Sequence, residues 1–323
     1  MAHRVLCFAS GEIDAVSSDA LYTLLLALQC RHGLGPARLA ELIQVAQDRL
    51  EPLLASPGRP LRELAQHFPA LSQEALLALH RCTQEDLAQG RGFFAEGRER
   101  GIQWSTPGDT PLLFELLAPL EKEAPPLLHY RGNLDLLSRP RAGIAGTQHP
   151  SAGGTALAGH CAHAAAELGC VVVTGGAKGV DTAAFEAVLQ SGGATILVLP
   201  YGLSRTPEAL LRHLHPGGPM LLLSECPHDA RWSTTAAVMR NRLIAALSQW
   251  LCVIESRSPG GATRTAEYAV RLGRPLFYAG GLAEQRFRPT GIGQTIPEIP
   301  TAGWFQERIA GGGVGKPHQG DLF

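Results

Sequence analysis

The chain has little net charge, few lysines and no paired cysteines, and each shortage excludes something. Its 323 residues carry a formal net charge of −1. A chain-wide basic excess, the crude mark of a nucleic-acid binder, is absent, so any nucleic-acid site must be a local patch on a neutral body. Only Lys122, Lys178 and Lys316 are lysines among 28 basic residues. Base bias in a coding sequence produces such a skew, and no function is read from it. The seven cysteines (Cys7, Cys30, Cys82, Cys161, Cys170, Cys226 and Cys252) form no CxxC pair. That argues against a zinc site and a disulfide framework and for buried, reduced thiols of a cytoplasmic protein. The twelve histidines show no metal spacing, and neither a metal nor a cofactor is expected. Residues 1–10 lack the apolar core and cleavage site of a signal peptide. No apolar run approaches the roughly 18–20 residues of a membrane span, so no membrane association is expected.

What is present is a chain of 45% hydrophobic and 18% charged residues, long enough for two domains and not of disordered composition. Residues 19–105 read as helical, with Leu39, Leu42, Ile43 and Ala46 on one stripe and Pro52, Pro57, Pro60 and Pro69 as breaks. Residues 105–140 hold many prolines and turn signals and read as a connection, with a short strand at 127–130. From Ala142 onward short apolar runs alternate with helical patterns. Strands are predicted at 142–145, 171–174, 195–199, 221–224, 251–255 and 275–278. Strands alternating with helices, and apolar throughout, predict an α/β fold with a mostly parallel sheet covered on both faces. The expected division is a helical domain over 1–105, a doubly wound, Rossmann-like domain over 106–290, and an extended Gly/Pro-rich tail over 291–323.

Two strand-to-helix crossings carry clustered glycines. One is Gly143-Ile144-Ala145-Gly146-Thr147-Gln148, running on to Gly153-Gly154; the other is Thr174-Gly175-Gly176-Ala177-Lys178-Gly179-Val180-Asp181. Glycine lets backbone approach a ligand closely, and a helix N-terminus offers unpaired N–H groups and a positive dipole end, so each crossing is a candidate phosphate site. Neither matches a Walker A loop or GxGxxG, which disfavours NTP hydrolysis and dinucleotide binding. Asp181 either caps its helix or holds a ligand hydroxyl or a neighbouring arginine. A third Gly-rich turn, Gly260-Gly261, also opens a helix. Between Arg231 and Arg288 lie nine arginines against Glu255, Glu267 and Glu284, a local net charge of +6. Arginine suits bidentate phosphate contact and base stacking. Arg240 and Arg242, two apart, point to different sides of a helix, so one could face phosphate while the other pairs with Glu225 or Glu255.

Several motifs then recur in the order found in the DprA/Smf family of bacterial DNA-processing proteins, part of the SLOG superfamily. Gly108-Asp109 with Pro125-Pro126 to Gly132-Asn133 resembles the family's entry segment. Gly146-Thr147-Gln148 stands where the family has Gly-Ser-Arg, and Thr174 to Asp181 where it has Ser-Gly-x-Ala-x-Gly-Ile-Asp. Ser224-Glu225-Cys226-Pro227, Arg240-Asn241-Arg242-Leu243-Ile244 and Glu255 through Thr265-Ala266 match further segments. The resemblance covers residues 105–281. It implies a Rossmann-like domain that binds single-stranded DNA, dimerises and loads a RecA-type recombinase during natural transformation, with no catalytic activity. It makes Lys178, Arg240 and Arg242 candidate DNA contacts, with the Gly146-Thr147 and Gly175-Gly176 backbones around the phosphates; Gln148 and Asn241 beside them, and the Gly260-Gly261 turn, which could bind an anion or a ribose, complete the candidate site. The helical region resembles the family's SAM-like domain, and Gly33-Leu34-Gly35-Pro36 a helix–hairpin–helix turn that either binds DNA backbone or only packs helices. The sequence departs from the family at Gln148, which replaces an arginine and for which His149, Arg139 or Arg141 are candidate substitutes. It departs again at Ala236 to Met239, in place of a Phe-Pro segment, and no winged-helix pattern follows.

The terminal Gln319-Gly320-Asp321-Leu322-Phe323 resembles the peptide by which proteins dock on the bacterial sliding clamp, with Gln319, Asp321, Leu322 and Phe323 as the contacts and Gly311 to Gly315 as a linker. One competing resemblance is to phosphoribohydrolases of the same superfamily, through Pro259-Gly260-Gly261-Ala262-Thr263-Arg264-Thr265-Ala266-Glu267. It implies Glu267 as a catalytic carboxylate on nucleoside monophosphates. A non-catalytic nucleotide sensor is a further alternative.

Overall fold

A computed structural model of the chain describes residues 15–215, 217–256 and 260–310. The helical region is built from α1 (Ala15–His32), α2 (Pro36–Leu54), α3 (Leu61–His67), α4 (Gln73–Arg81) and α5 (Gln84–Glu99). Pro36 opens α2, where its missing N–H costs nothing, and a capping box between Thr83 and Asp86 opens α5. Gly33-Leu34-Gly35 joins α1 to α2, with Leu34 buried. A side chain at Gly90 of α5 would strike the Thr23 carbonyl of α1, so glycine there sets a close helix–helix approach.

The strands are β1 (Gln103–Ser105), β2 (Leu128–Gly132), β3 (Arg141–Gly146), β4 (Val171–Thr174), β5 (Ala194–Val198), β6 (Met220–Ser224), β7 (Trp250–Ser256), β8 (Leu276–Gly280) and β9 (Gln294–Thr295). They form one sheet in the order β1-β2-β6-β5-β4-β3-β7-β8-β9. From β6 to β9 every neighbour is parallel, whereas β1 and β2 are antiparallel additions at one edge. The remaining helices are α6 (Pro111–Leu117), α7 (Ala152–Glu167), α8 (Val180–Gln190), α9 (Glu208–Leu211), α10 (Thr234–Met239), α11 (Asn241–Leu247), α12 (Gly261–Arg271), α13 (Gly281–Phe287) and α14 (Ala302–Ala310). The doubly wound, mostly parallel architecture with a helical region before it is the one expected. Strand residues alternate between two cores. Val171, Val173, Leu251 and Val253 meet α11 and α12 on one face, while Val172, Cys252 and Ile254 meet α7 and α8 on the other. Burial of both faces is why these strands read as unbroken apolar runs.

The expected boundaries change in four places. Residues 103–105 lie within the span read as helical but form β1 on the sheet edge. Leu197, Leu199, Met220 and Leu222 of the sheet share one core with α1, α2 and α4, so the helical region is packed onto the sheet rather than separate from it. The supposed connection over 105–140 contains α6, whose Leu113 and Leu117 are buried against the α11 face of the sheet. The span from 291 was expected to be an extended tail. Instead β9 extends the sheet, and α14 inserts Phe305, 0% exposed, between Trp250 and Phe277 with ring centroids 4.6 and 5.2 Å away. Stacked and edge-to-face aromatic burial outweighs the proline and glycine content that suggested a tail. The linker at 311–315 and the terminal contacts Gln319, Asp321, Leu322 and Phe323 lie outside the described residues.

Candidate nucleic-acid interface

Strand order reverses between β3 and β7, and open α/β sheets hold ligands beyond the carboxyl ends of strands at such a switch point. The first Gly-rich loop lies there, but its anion position is already filled from within. Glu255, at the end of β7, has φ +47°, a left-handed conformation uncommon for a residue with a side chain. Its carboxylate accepts the Ser151 N–H at 2.8 Å and the Ser151 hydroxyl, directly at the N-terminus of α7. A side chain at Gly154 would lie 2.6 Å from that carboxylate. Gly154 therefore makes room for Glu255 at the dipole's positive end. The Thr147 N–H donates to the Ile254 carbonyl at 3.2 Å, and the Thr147 carbonyl accepts from the Val180 N–H at 3.1 Å. Gly146 is wedged against the Ile254 carbonyl and Val180. The backbone of Gly146 and Thr147 thus ties the sheet to α8, and the expectation that it surrounds phosphate is corrected. Gln148 is exposed beside it. Arg139 and Arg141 do not substitute for the missing arginine. Both lie at the other end of β3, where Arg139 donates to the Gly169 carbonyl, and buried Arg141 to Leu247, Leu137 and Arg139 carbonyls.

The second loop is held rigid by its neighbours. Asp181 accepts the N–H groups of Gly175 at 3.2 Å and Ala177 at 3.3 Å, and lies 3.6 Å from Nη2 of Arg240. Of the readings the sequence left open for Asp181, the neighbouring arginine is the one observed. Thr182 Oγ1 donates to the Ala177 carbonyl. Gly179 has φ +80°, and a side chain on it would strike the Thr147 and Gln148 backbone at 2.5–2.6 Å, so the first two loops are packed on each other through a glycine. Gly175 lies flat under the Arg240 guanidinium, with no space for a Cβ. Gly176 (φ +65°) is exposed above Leu199. Lys178, at the outer turn, is exposed and carries no ion pair or hydrogen bond among the described residues.

The Arg-Asn-Arg segment is a buried frame. Arg240 breaks the expected single helix over 238–247 into α10 and α11 and is 5% exposed. Burial pushes its pKa down and pushes that of Asp181 up, and their mutual attraction opposes both effects. Its Nε and Nη1 find no hydrogen-bond partner. Asn241 donates to the Gly261 carbonyl at 3.0 Å, fixing the start of α12 and with it the third Gly-rich turn. Arg242, 2% exposed, forms a two-pronged ion pair with Glu225, Nη1 to Oε1 at 2.6 Å and Nη2 to Oε2 at 2.5 Å. It also donates to the carbonyls of Glu123 and Met239. Burial opposes the Arg242 charge, but Glu225 outweighs it and the pKa rises. Arg242 is thus committed to an acid, the second of the two roles its spacing allowed, and is withdrawn as a DNA contact.

The +6 segment is accordingly not a bare cationic patch. Arg240, Arg242, Arg271, Arg286 and Arg288 pair with Asp181, Glu225, Glu123, Glu267 and Glu284. Arg231 and Arg264 are exposed and unpaired among the described residues. Glu267, the acid of the competing hydrolase reading, is held by Arg286. The loops therefore converge as expected, joined through Gly179, Gly175 and Asn241. The charge they offer outward comes from Lys178, Arg231 and Arg264 rather than from Arg240 and Arg242.

Sequence reading missed Glu255 as an internal anion, because its partner lies 104 residues away. It also missed the meeting of His32, Cys82 and Asp86, whose ligand-type atoms lie within 4.8 Å of one another. There the Asp86 carboxylate already accepts from Thr83, Arg31 and His32, which completes the cap of α5.

A model of the family described as DNA recombination-mediator protein A matches residues 111–298. The chain is 31% identical over 241 residues to protein Smf of Synechocystis sp., covering 67% of this chain and 59% of that protein. It is 37% identical over 157 residues to DNA processing protein DprA of Streptococcus pneumoniae, covering 48% and 55%. The chain thus spans between half and two thirds of the length of these two relatives. The X-ray structure of the Streptococcus pneumoniae protein superposes with a TM-score of 0.66 at 24% identity, over 90% of this chain and 97% of that one, which is agreement in fold. A structure described as showing the single-stranded DNA binding mode of DNA processing protein A from Helicobacter pylori superposes with a TM-score of 0.53 at 26% identity, over 66% and 96%. With a matching family model over more than half its length and the family's motifs converging at one end of its sheet, the chain belongs to the DNA recombination-mediator protein A family, the DprA/Smf family its sequence resembles.

Proposed function

We propose that this chain binds single-stranded DNA across the carboxyl end of its sheet, as a DNA-processing protein of natural transformation and recombination. The observation that carries the reading is Lys178, a cation exposed and unpaired among the described residues, on a loop whose shape is set by Asp181, Arg240 and Gly179. A rigid loop presenting one cation, with Arg231 before α10 and Arg264 on α12 also exposed and unpaired among the described residues, suits a strand tracked by its phosphates. The single-stranded DNA binding described for the Helicobacter pylori relative supports it. In this reading the protein is a cytoplasmic homodimer that hands the strand to a RecA-type recombinase and docks on the sliding clamp through Gln319, Asp321, Leu322 and Phe323. No helix among the described residues is long and apolar enough to cross a membrane.

The protein acts in this reading as a binder and not as an enzyme. The tie between Glu267 and Arg286, and the Glu255 carboxylate at the α7 N-terminus, support that over phosphoribohydrolase chemistry, which needs a free carboxylate and an open phosphate position. The test is a gel shift with single- and double-stranded oligonucleotides at two salt concentrations. Single strands are expected to bind in preference. Lys178→Ala is expected to lower the slope of log K against log salt by about 0.7, the contribution of one phosphate contact on a single strand. Equal slopes for wild type and variant would remove Lys178 from the interface. Base release from AMP by wild type, lost in Glu267→Gln, would favour the enzyme instead.

A further inference from the structure

Trp232 is the only exposed aromatic side chain among the described residues, at 55% exposure, and it has no ring or hydrogen-bond partner there. It stands in the loop after β6, at the carboxyl end of the sheet, and Ser233 caps α10 immediately after it. The six residues of α10 advance the chain about 9 Å and deliver Arg240 onto Gly175 of the Lys178 loop. Met239, 46% exposed, closes the same helix. The adjacent Arg231 is exposed and unpaired among the described residues. An apolar residue of this size gains nothing from water, and its chain neighbour Arg231 has no acid partner among the described residues.

We propose that Trp232 is a stacking platform for a nucleobase of the strand whose phosphates lie along Arg231 and the Lys178 loop. The inference rests on the single-stranded DNA reading above and adds how bases are engaged. Phosphates are held by cations, while a base is held by its π-face, which every base has. Binding is therefore tolerant of sequence. The charge around the ring selects this occupant. A hydrophobic protein partner would leave Arg231 without a counter-charge, whereas a nucleotide supplies an aromatic face and an anion together.

The test is a fluorescence titration of the full chain with oligo-dT at two salt concentrations, using wild type, Trp232→Phe, Trp232→Ala and Lys178→Ala. Trp104 and Trp250 are buried and Trp304 is packed against Phe277, Phe305 and Arg308, so the quenching that is lost in Trp232→Phe is the part that reports Trp232. Wild-type emission is expected to be quenched. Trp232→Ala, followed by gel shift, is expected to bind about 5- to 150-fold more weakly, with Trp232→Phe close to wild type. Its salt slope should stay at the wild-type value, because no phosphate contact is lost, whereas Lys178→Ala should lower the slope. Undiminished affinity in Trp232→Ala, with Lys178→Ala still weakened, overturns the stacking inference alone. A change of oligomeric state in Trp232→Ala without loss of affinity also overturns it and assigns the ring to a contact between copies. Absence of oligo-dT binding by wild type overturns the underlying DNA reading.

Discussion

Replacing Arg242 by leucine separates the structural reading of the Arg-Asn-Arg segment from a DNA-contact reading. The variant would leave the Glu225 carboxylate, only 13% exposed, without its cation, and would remove the donors to the Glu123 and Met239 carbonyls. Removing one partner of a buried ion pair costs about 3–5 kcal/mol, because the remaining charge stays desolvated. Against a total stability of roughly 5–15 kcal/mol, that is a large fraction. The assay is urea unfolding followed by circular dichroism, with single-strand affinity measured at low temperature on the folded protein. The midpoint is expected to fall sharply while affinity stays within about twofold of wild type, since Arg242 never reaches the surface. The double variant Glu225→Leu/Arg242→Leu is expected to lose less than the sum of the single losses, because the two groups act as one unit. Unchanged stability with a tenfold loss of DNA affinity in Arg242→Leu would refute the reasoning and return Arg242 to the interface.

Other predictions probe the pH response, the anion position and the C-terminal helix. His129, fully buried beside Trp104 and His228, has its pKa pushed by burial from 6.5 down to about 3. The fold holds it neutral, so its stabilisation is complete above pH 6.5 and is lost progressively as pH falls toward 3, reaching about 2 kcal/mol by pH 5. Urea midpoints between pH 7.5 and 5 should show this fall, and His129→Phe should flatten it; an unaltered pH profile in that variant would count against the assignment. His228, also buried and lowered by burial but 3.5 Å from Glu96, contributes in the same direction. Glu255→Gln should weaken the internal anion at the α7 N-terminus, so that millimolar phosphate raises the melting temperature of the variant and not of wild type. Identical phosphate response in both would show that the position is not an anion site. Phe305→Ala should destabilise by about 3–5 kcal/mol in thermal or urea unfolding. A loss below about 1 kcal/mol would mean that α14 contributes little to the core.

Much of the doubly wound domain was legible locally. Runs such as Val171 to Val173 and Leu251 to Ile254 announce strands buried on both faces, and the Gly-Gly-Ala-Lys-Gly turn announces a tight loop before a helix, because these signals lie within a few residues of each other. Less legible were elements whose stability comes from distant partners. The α14 helix follows a proline- and glycine-rich stretch and is held by Trp250 and Phe277, while β1 is a three-residue strand defined by β2. The site divides in the same way. Sequence alone determined the charge balance, the parallel sheet, the family and the loops that would meet. It could not tell a free arginine from a paired one. Arg240 and Arg242 look like the cations of the site, yet tertiary structure gives them to Asp181 and Glu225, 59 and 17 residues away in the chain. Among the described residues it leaves Lys178, Arg231 and Arg264 unpaired. The physical reason is that charge is written in composition, whereas whether a charge is neutralised depends on which acid the fold brings within about 4 Å of it.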